Sequence, residues 1–334
     1  MAGNLIDYIE WRGDVPFEQD GINVVDALIF STITYINYPD CYDKAKSFKD
    51  AYEGWLNITA DDQYRGLLIM RSKAEELAGM MGDAERYKDV RLTRYVEVSD
   101  DTTEEQFSAM TFLIPGNRLF VAFRGTDSTL VGWKEDFNMA VVDGTPSQLA
   151  ATEYVENVAK EYPDAQLMLG GHSKGGNLAV WAAVHMSEDV KNRTKLVFNF
   201  DAPGLSKTVS ESEMYQSIKH KILTVVPHDS VVGMIMRNET PLVVKCEGEG
   251  LLQHNPFNWD VSRNDFVYVD ERTIASRILE KGMQDIVEGL DPDEYSYWID
   301  KIYNDLQTQK NKLALLQETI KDDISILKNT FNKE

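Results

Sequence analysis

The spacing of apolar positions changes character twice along the chain. In residues 61–81, DDQYRGLLIMRSKAEELAGMM, apolar side chains return at helical intervals, while Lys73 and Glu75 fall on the polar side. Residues 1–90 are expected to be mainly helical. Short β-like runs follow at 90–98, 106–114 and 118–125. Pro115-Gly116-Asn117 separates the last two, a turn signal that predicts a hairpin. Helix and strand patterns then alternate: helix 147–161, strand 166–170, helix 175–188, strand 195–200, helix 210–219, strand 221–226. A further strand is expected at 241–247. Such alternation predicts a parallel sheet with helices on its faces. With the earlier antiparallel strands the sheet is mixed and mostly parallel.

Beyond about residue 270 the helical pattern returns. Tyr295, Ile299, Ile302, Leu306, Leu313, Leu316, Ile320, Leu327 and Phe331 follow one another at steps near 3.5, interrupted by Gln309 and Asp323. One helix over 294–333 would be roughly 55–60 Å long. It is expected to pack along its own domain, with pairing of two copies into a homodimer as the alternative. The expected organisation is an N-terminal helical segment (1–90), an α/β core (91–270) and a C-terminal helical extension (271–334).

Composition narrows the functional classes. The 334 residues are 43% hydrophobic, enough for a sizeable core. The formal charge of −21 argues against nucleic acid and anionic membranes as non-specific partners. Cys41 and Cys246 show no CxxC spacing, and the first residues lack a basic, apolar leader. The longest apolar stretch, residues 24–36, is too short to span a bilayer and contains Asp26. A soluble, cytoplasmic protein is the expectation.

The chemistry concentrates in AQLMLGGHSKGGNLAVWAA, residues 165–183. Gly171-His172-Ser173-Lys174-Gly175 is a G-x-S-x-G sequence placed where an expected strand passes into an expected helix. A nucleophilic serine in that strained turn tolerates no bulk beside it, and Gly171 and Gly175 supply none. The N–H of Lys174, at the helix start, points toward the same space and can stabilise an oxyanion. Thr126, in the small-residue loop after strand 118–125, is the candidate for the second oxyanion donor.

A serine hydroxyl needs a base. Of the five histidines, His172 lies inside the elbow, His185 on the following helix, and His220 directly before a strand. That leaves His228 and His254. His254, in the loop LLQHNPFNWD, is the expected general base. Asp229, three residues beyond strand 221–226 and next to His228, is the preferred acid, paired with His254 in the chain order serine, acid, histidine. Neighbours on an extended segment point apart, so Asp229 is not expected to orient His228. Asp201, at the end of strand 195–200, is the rival acid.

Taken together, FRGTD with Trp133 and Asp136, GHSKGGNLA, FNFDAPG, HDSVVGM and QHNPFNW resemble the class 3 lipase group of α/β-hydrolases. They more closely resemble an uncharacterised bacterial family related to it. The resemblance covers about residues 90–270. It implies an α/β-hydrolase fold, Ser173 as nucleophile, Asp229 as acid, His254 as base, and Thr126 and Lys174 at the oxyanion hole. It places a glycine of the lipases where Asp201 stands. Lys174 departs from the apolar residue usual at its position, which would bring a charged side chain near the acyl site. The short segment after Asp136 leaves no room for a long amphipathic lid.

The expected reaction is hydrolysis of a carboxylic ester or thioester on a small acyl or lipid-like substrate, with no metal or organic cofactor. A binding or scaffold protein on a hydrolase fold, working through its C-terminal helix, is the alternative. Arg124 and Asp136 are candidates for an ion pair beneath the oxyanion loop. The Met-rich stretch 231–240 is either core or a pocket wall.

Overall fold

The computed structural model describes residues 2–42, 44–58, 68–100, 105–126, 139, 143–236, 241–274 and 276–277. The expected C-terminal helix over 294–333, together with Trp133 and Asp136, lies outside the described residues.

Helices α1 (Leu5–Arg12), α2 (Val24–Ile33), α3 (Phe48–Trp55) and α4 (Leu68–Asp83) precede the main run of strands, with only β1 (Lys46–Ser47) among them. The strands that follow are β2 (Arg91–Asp100), β3 (Glu105–Ile114), β4 (Arg118–Phe123), β5 (Gln166–His172), β6 (Thr194–Phe200), β7 (Ile222–Pro227) and β8 (Leu242–Val244). Helices α5 (Pro146–Glu161), α6 (Lys174–His185), α7 (Glu188–Arg193), α8 (Lys207–Ser210) and α9 (Glu213–Ile218) alternate with the later strands. The short strands β9 (Val261–Ser262) and β10 (Asp265–Phe266) pair with each other, and β11 (Tyr268–Val269) closes the main sheet against β8.

The sheet order is β1-β2-β3-β4-β5-β6-β7-β8-β11. β1 to β4 pair antiparallel, β4 to β8 run parallel, and β11 is antiparallel again. The expected hairpin at 115–117 forms, with Gly116 and Asn117 both at positive φ, a conformation these two residue types tolerate. The expected strands are present, but the last shrinks to three residues, and the single helix expected over 210–219 is two short ones.

Both faces of the sheet are covered, which is why its strands read as near-continuous apolar runs. Alternate residues divide between them. Phe112, Phe120, Met168 and Phe198 join the core built with α1 to α4, and α2 packs on β4, β5 and β6. Val121, Leu167, Leu169 and Val197 face the other way, toward α5 and α6. Met234 and Met236 are buried, so the described part of the Met-rich stretch is core.

The N-terminal helices are anchored by one buried ion pair. Arg86 donates from Nε and Nη2 to Asp26 Oδ1 and Oδ2 at 2.9 and 2.6 Å. The remaining donors of Arg86 reach the carbonyls of Val15, Asp20 and Gly21. Tyr8 and Tyr87 donate their hydroxyls to Asp26 Oδ1, and the Asn23 N–H donates to Asp26 Oδ2, closing the capping box at the start of α2. Both charged side chains are fully buried, so this satisfaction is what makes the pair tolerable.

Candidate active site

Strand β5 ends at His172 and α6 begins at Lys174, leaving Ser173 alone in the turn between them. Its backbone sits at φ 57°, ψ −138°, a sparsely populated conformation for a residue with a side chain. The surroundings hold it there. The Ser173 N–H donates to Phe200 O at 3.0 Å, fastening the turn to β6. A Cβ on Gly171 would lie 2.1 Å from the carbonyl carbon of Gly175. One on Gly175 would lie 2.1 Å from the Phe123 oxygen. The two glycines of the motif are therefore steric requirements of the tight turn.

His254 closes the turn Gly250–His254, and its Nδ1 lies 2.6 Å from Asp201 Oδ2. Asp201 directly follows β6, is fully buried and itself has φ 47°. Its other oxygen accepts the Ser230 hydroxyl at 2.5 Å and the Gly233 N–H at 3.1 Å. A Cβ on Gly233 would come within 2.5 Å of that oxygen, so only glycine brings its N–H this close. Three polar groups, His254 Nδ1, the Ser230 hydroxyl and the Gly233 N–H, thus converge on the buried carboxylate. With Nδ1–H given to Asp201, Nε2 is the atom of His254 left to accept a proton.

This pairing corrects the expected partner of His254. Asp229 does not reach the imidazole: its Oδ2 accepts the Gly250 N–H and its Oδ1 the Thr273 hydroxyl, both at 2.6 Å. The cause is the register of two neighbouring parallel strands. Asp201 stands immediately after β6, whereas the chain beyond β7 turns, so that Ser230 and not Asp229 faces the site. His228 also points elsewhere, with Nδ1 accepting the Cys246 N–H at 3.2 Å.

Two residues that sequence reasoning did not single out join the site to the N-terminal helices. Tyr35, just beyond α2, has its hydroxyl 3.1 Å from His172 Nδ1. His172 Nε2 lies 2.8 Å from the carbonyl oxygen of His254. A carbonyl can only accept, so Nε2 carries the proton and Nδ1 accepts from the tyrosine. Burial, and then the neighbouring His254, push the His172 pKa well below the usual histidine range. The two imidazoles are 4.5 Å apart between centroids. His172 therefore ties the residue before Ser173 to the backbone of His254 while staying neutral. Its place inside G-x-S-x-G was the only trace of this in the sequence.

The remaining expected residues are placed as follows. Gly125 backs onto the elbow: a Cβ there would lie 2.1 Å from the Tyr35 hydroxyl and 3.0 Å from Ser173 Cβ. Thr126 follows it and is buried. The N–H of Lys174 opens α6. The Lys174 side chain, expected near the acyl site, is instead buried and donates from Nζ to the carbonyl and side-chain oxygens of Gln106 at 2.5 and 2.7 Å. Arg124 pairs with Glu97 at 2.8 Å. Ser173 and His254 Nε2 are not hydrogen-bonded to each other, a contact that commonly tightens only when substrate is bound.

Five parallel strands, a serine at the strand-to-helix elbow and a histidine on a late loop define an α/β-hydrolase. The model of the Mbeg1-like family, a lipase-like family, matches residues 81–304, more than half of the chain, and the chain belongs to that family. No curated protein matches it in sequence. Among solved structures, a fungal lipase in complex with an inhibitor is similar, with 13% identity over 75% of this chain and 91% of that one, TM-score 0.42. The Yarrowia lipolytica Lip2 lipase is 13% identical over 74% and 97%, TM-score 0.38. The Rhizomucor miehei lipase in its propeptide complex is 14% identical over 58% and 66%, TM-score 0.37. The strand order and the elbow define the fold independently of these likenesses. Among the described residues no helix is long and apolar enough to cross a membrane.

Proposed function

We propose that the protein is a serine hydrolase that cleaves a carboxylic ester, or a thioester, through an acyl-enzyme. Ser173 Oγ attacks the acyl carbonyl while His254 Nε2 takes its proton. The resulting imidazolium is stabilised by Asp201 across the 2.6 Å contact to Nδ1. The N–H groups of Lys174 and Thr126 receive the oxyanion. His254 then protonates the leaving alcohol or thiol. Water, activated by the same nitrogen, releases the acid and restores Ser173.

The observation that carries this reading is the short His254–Asp201 bond formed behind a serine held at positive φ. Backbone strain of the kind seen at Ser173 persists only where the surroundings hold it, and it gathers at functional sites. Membership of a lipase-like family supports an acyl substrate.

A fluorophosphonate probe tests the assignment on the wild-type chain, Ser173→Ala and His254→Ala, with the labelled peptide located by mass. Labelling at Ser173 that is lost in both variants is the expected result. Equal labelling of folded Ser173→Ala would overturn it.

A further inference from the structure

Asp229 has both carboxylate oxygens engaged away from His254, and its partners point to a different role. The loop 228–230, just after β7, is a meeting point of three parts of the chain. Toward the base, the Gly250 N–H donates to Asp229 Oδ2 at 2.6 Å, and the Asp229 N–H donates to Gln253 Oε1 at 2.9 Å. Gln253 is fully buried and directly precedes His254. Toward the acid, the Ser230 hydroxyl donates to Asp201 Oδ1 at 2.5 Å.

The third part is the chain just beyond the last strand. The Thr273 hydroxyl donates to Asp229 Oδ1 at 2.6 Å, and the Thr273 N–H donates to His228 O at 2.7 Å. The Ser276 hydroxyl donates to Ser230 O at 2.8 Å. Thr273 also accepts the Ser276 N–H at 3.1 Å and, through its carbonyl, the Arg277 N–H at 3.1 Å, which begins a helical turn. Each residue of the 228–230 loop is therefore held by Thr273 or Ser276. A cap alone would ask only that the Thr273 oxygen accept from Ser276. The short bond from its proton to a carboxylate is additional, and charge-assisted bonds of this kind are the stronger ones.

We propose that Thr273 and Ser276 are positioning residues. They clamp the 228–230 loop, through which Asp229 fixes the His254 turn and Ser230 fixes the Asp201 carboxylate. The geometry of the acid–base pair then depends on how the start of the C-terminal extension is seated. This rests on the reading of His254 and Asp201 as base and acid.

The test uses the full chain carrying Thr273→Val, Thr273→Ser or Ser276→Ala. Four measurements are made: the rate of fluorophosphonate labelling at Ser173, steady-state kinetics on an activated ester giving kcat and KM, Tm, and the downfield proton resonance of His254 Nδ1–H. Thr273→Val should slow labelling and kcat about tenfold, the worth of one net hydrogen bond, with KM unchanged. Its Tm should fall by only about 2–4 °C. The His254 proton should broaden through exchange, and Thr273→Ser should restore all four. Ser276→Ala should act in the same direction.

Wild-type labelling and a sharp His254 resonance in Thr273→Val would overturn the proposal. So would an equal loss of rate in an Asp26→Asn chain compared at the same margin below its Tm, since that site is remote from the loop. If wild-type Ser173 does not react with the probe, the hydrolase reading fails separately. The His254 resonance needs no turnover and still decides: broadening in Thr273→Val supports the clamp, and an unchanged line rejects it.

Discussion

Replacing Asp201 with Asn should separate the two candidate acids. The side chain keeps its size but exchanges one acceptor oxygen for a donor NH2. The structure decides which way the amide turns. On one side stands the Gly233 N–H, which can only donate, together with the Ser230 hydroxyl. On the other stands His254 Nδ1. Facing the NH2 toward Gly233 would set it against an N–H that can only donate, so the amide oxygen stays there and the NH2 turns to His254. The imidazole then offers its lone pair at Nδ1 and carries its proton on Nε2, the nitrogen that must take the proton of Ser173.

The magnitude follows from what is lost. A hydrogen bond to a charged group contributes about 1.5–3 kcal/mol. The attraction between a carboxylate and an imidazolium about 4 Å apart contributes about 4 kcal/mol at an effective dielectric of 20. Part of this is shared, so about 4–6 kcal/mol of transition-state stabilisation should go, a factor of about 10³–10⁴ in rate. Triads of this kind lose a similar factor on the same change. Asp229→Asn keeps one good acceptor for either Gly250 or Thr273, and should cost about tenfold. The assay is the second-order rate of fluorophosphonate labelling with kcat/KM on an activated ester, on variants whose folded state is checked by Tm. Asp201→Asn within tenfold of wild type, beside an Asp229→Asn slowed a thousandfold, would refute the reasoning and return the acid to Asp229.

Three further outcomes follow from the same structure. His172 is fully buried with its pKa pushed down, so below about pH 6.5 the unfolded chain takes up a proton that the folded chain refuses. Stability from this group is complete above that pH and should fall by up to about 1.4 kcal/mol per unit on acidification. Urea unfolding at pH 7.5 and 5.5 should show a smaller acid loss in His172→Phe than in wild type, and equal losses would count against it. Asp26→Asn leaves the buried Arg86 guanidinium without its counter-charge and should cost about 3–5 kcal/mol, read as a lower urea midpoint at unchanged slope. Gly175→Ala forces a methyl to 2.1 Å from the Phe123 oxygen, so the variant should be unfolded or unreactive toward the probe. A folded, fully labelled Gly175→Ala would show that the elbow can relax.

Much of this fold was legible because it is built from strong local signals. Pro115-Gly116-Asn117 could only be a turn, and strands buried on both faces left runs such as LFVAF that no surface element would carry. The elbow was legible for the same reason: the glycines at 171 and 175 answer to contacts a few ångströms away within one turn. The partner of His254 was not, because it depends on where two parallel strands end relative to each other. Asp201 and Asp229 both follow β-strands, both precede small residues, and both come before His254 in the chain. What distinguishes them is a through-space fact, the Ser230 and Gly233 donors that converge on Asp201 from a loop some thirty residues away. One local trace does exist: Asp201 sits at positive φ directly after its strand, a position that aspartate, asparagine and glycine tolerate and most residues do not. A glycine expected there from the lipase resemblance and the aspartate found there satisfy the same backbone. The resemblance pointed to Asp229, whereas the contact to His254 Nδ1 is made by Asp201. Tyr35 illustrates the limit further. Nothing beside it in sequence marks it, and its partner His172 lies 137 residues on. Its significance arises only when α2 is laid across β4 to β6, bringing its hydroxyl to the histidine of the elbow. Residues that do chemistry leave patterns near themselves, whereas residues that hold them in place are chosen by the packing of distant elements. Tyr35 and Ser230, which reach His172 and Asp201 from distant elements, are of the second kind, as is Thr273 under the proposal above.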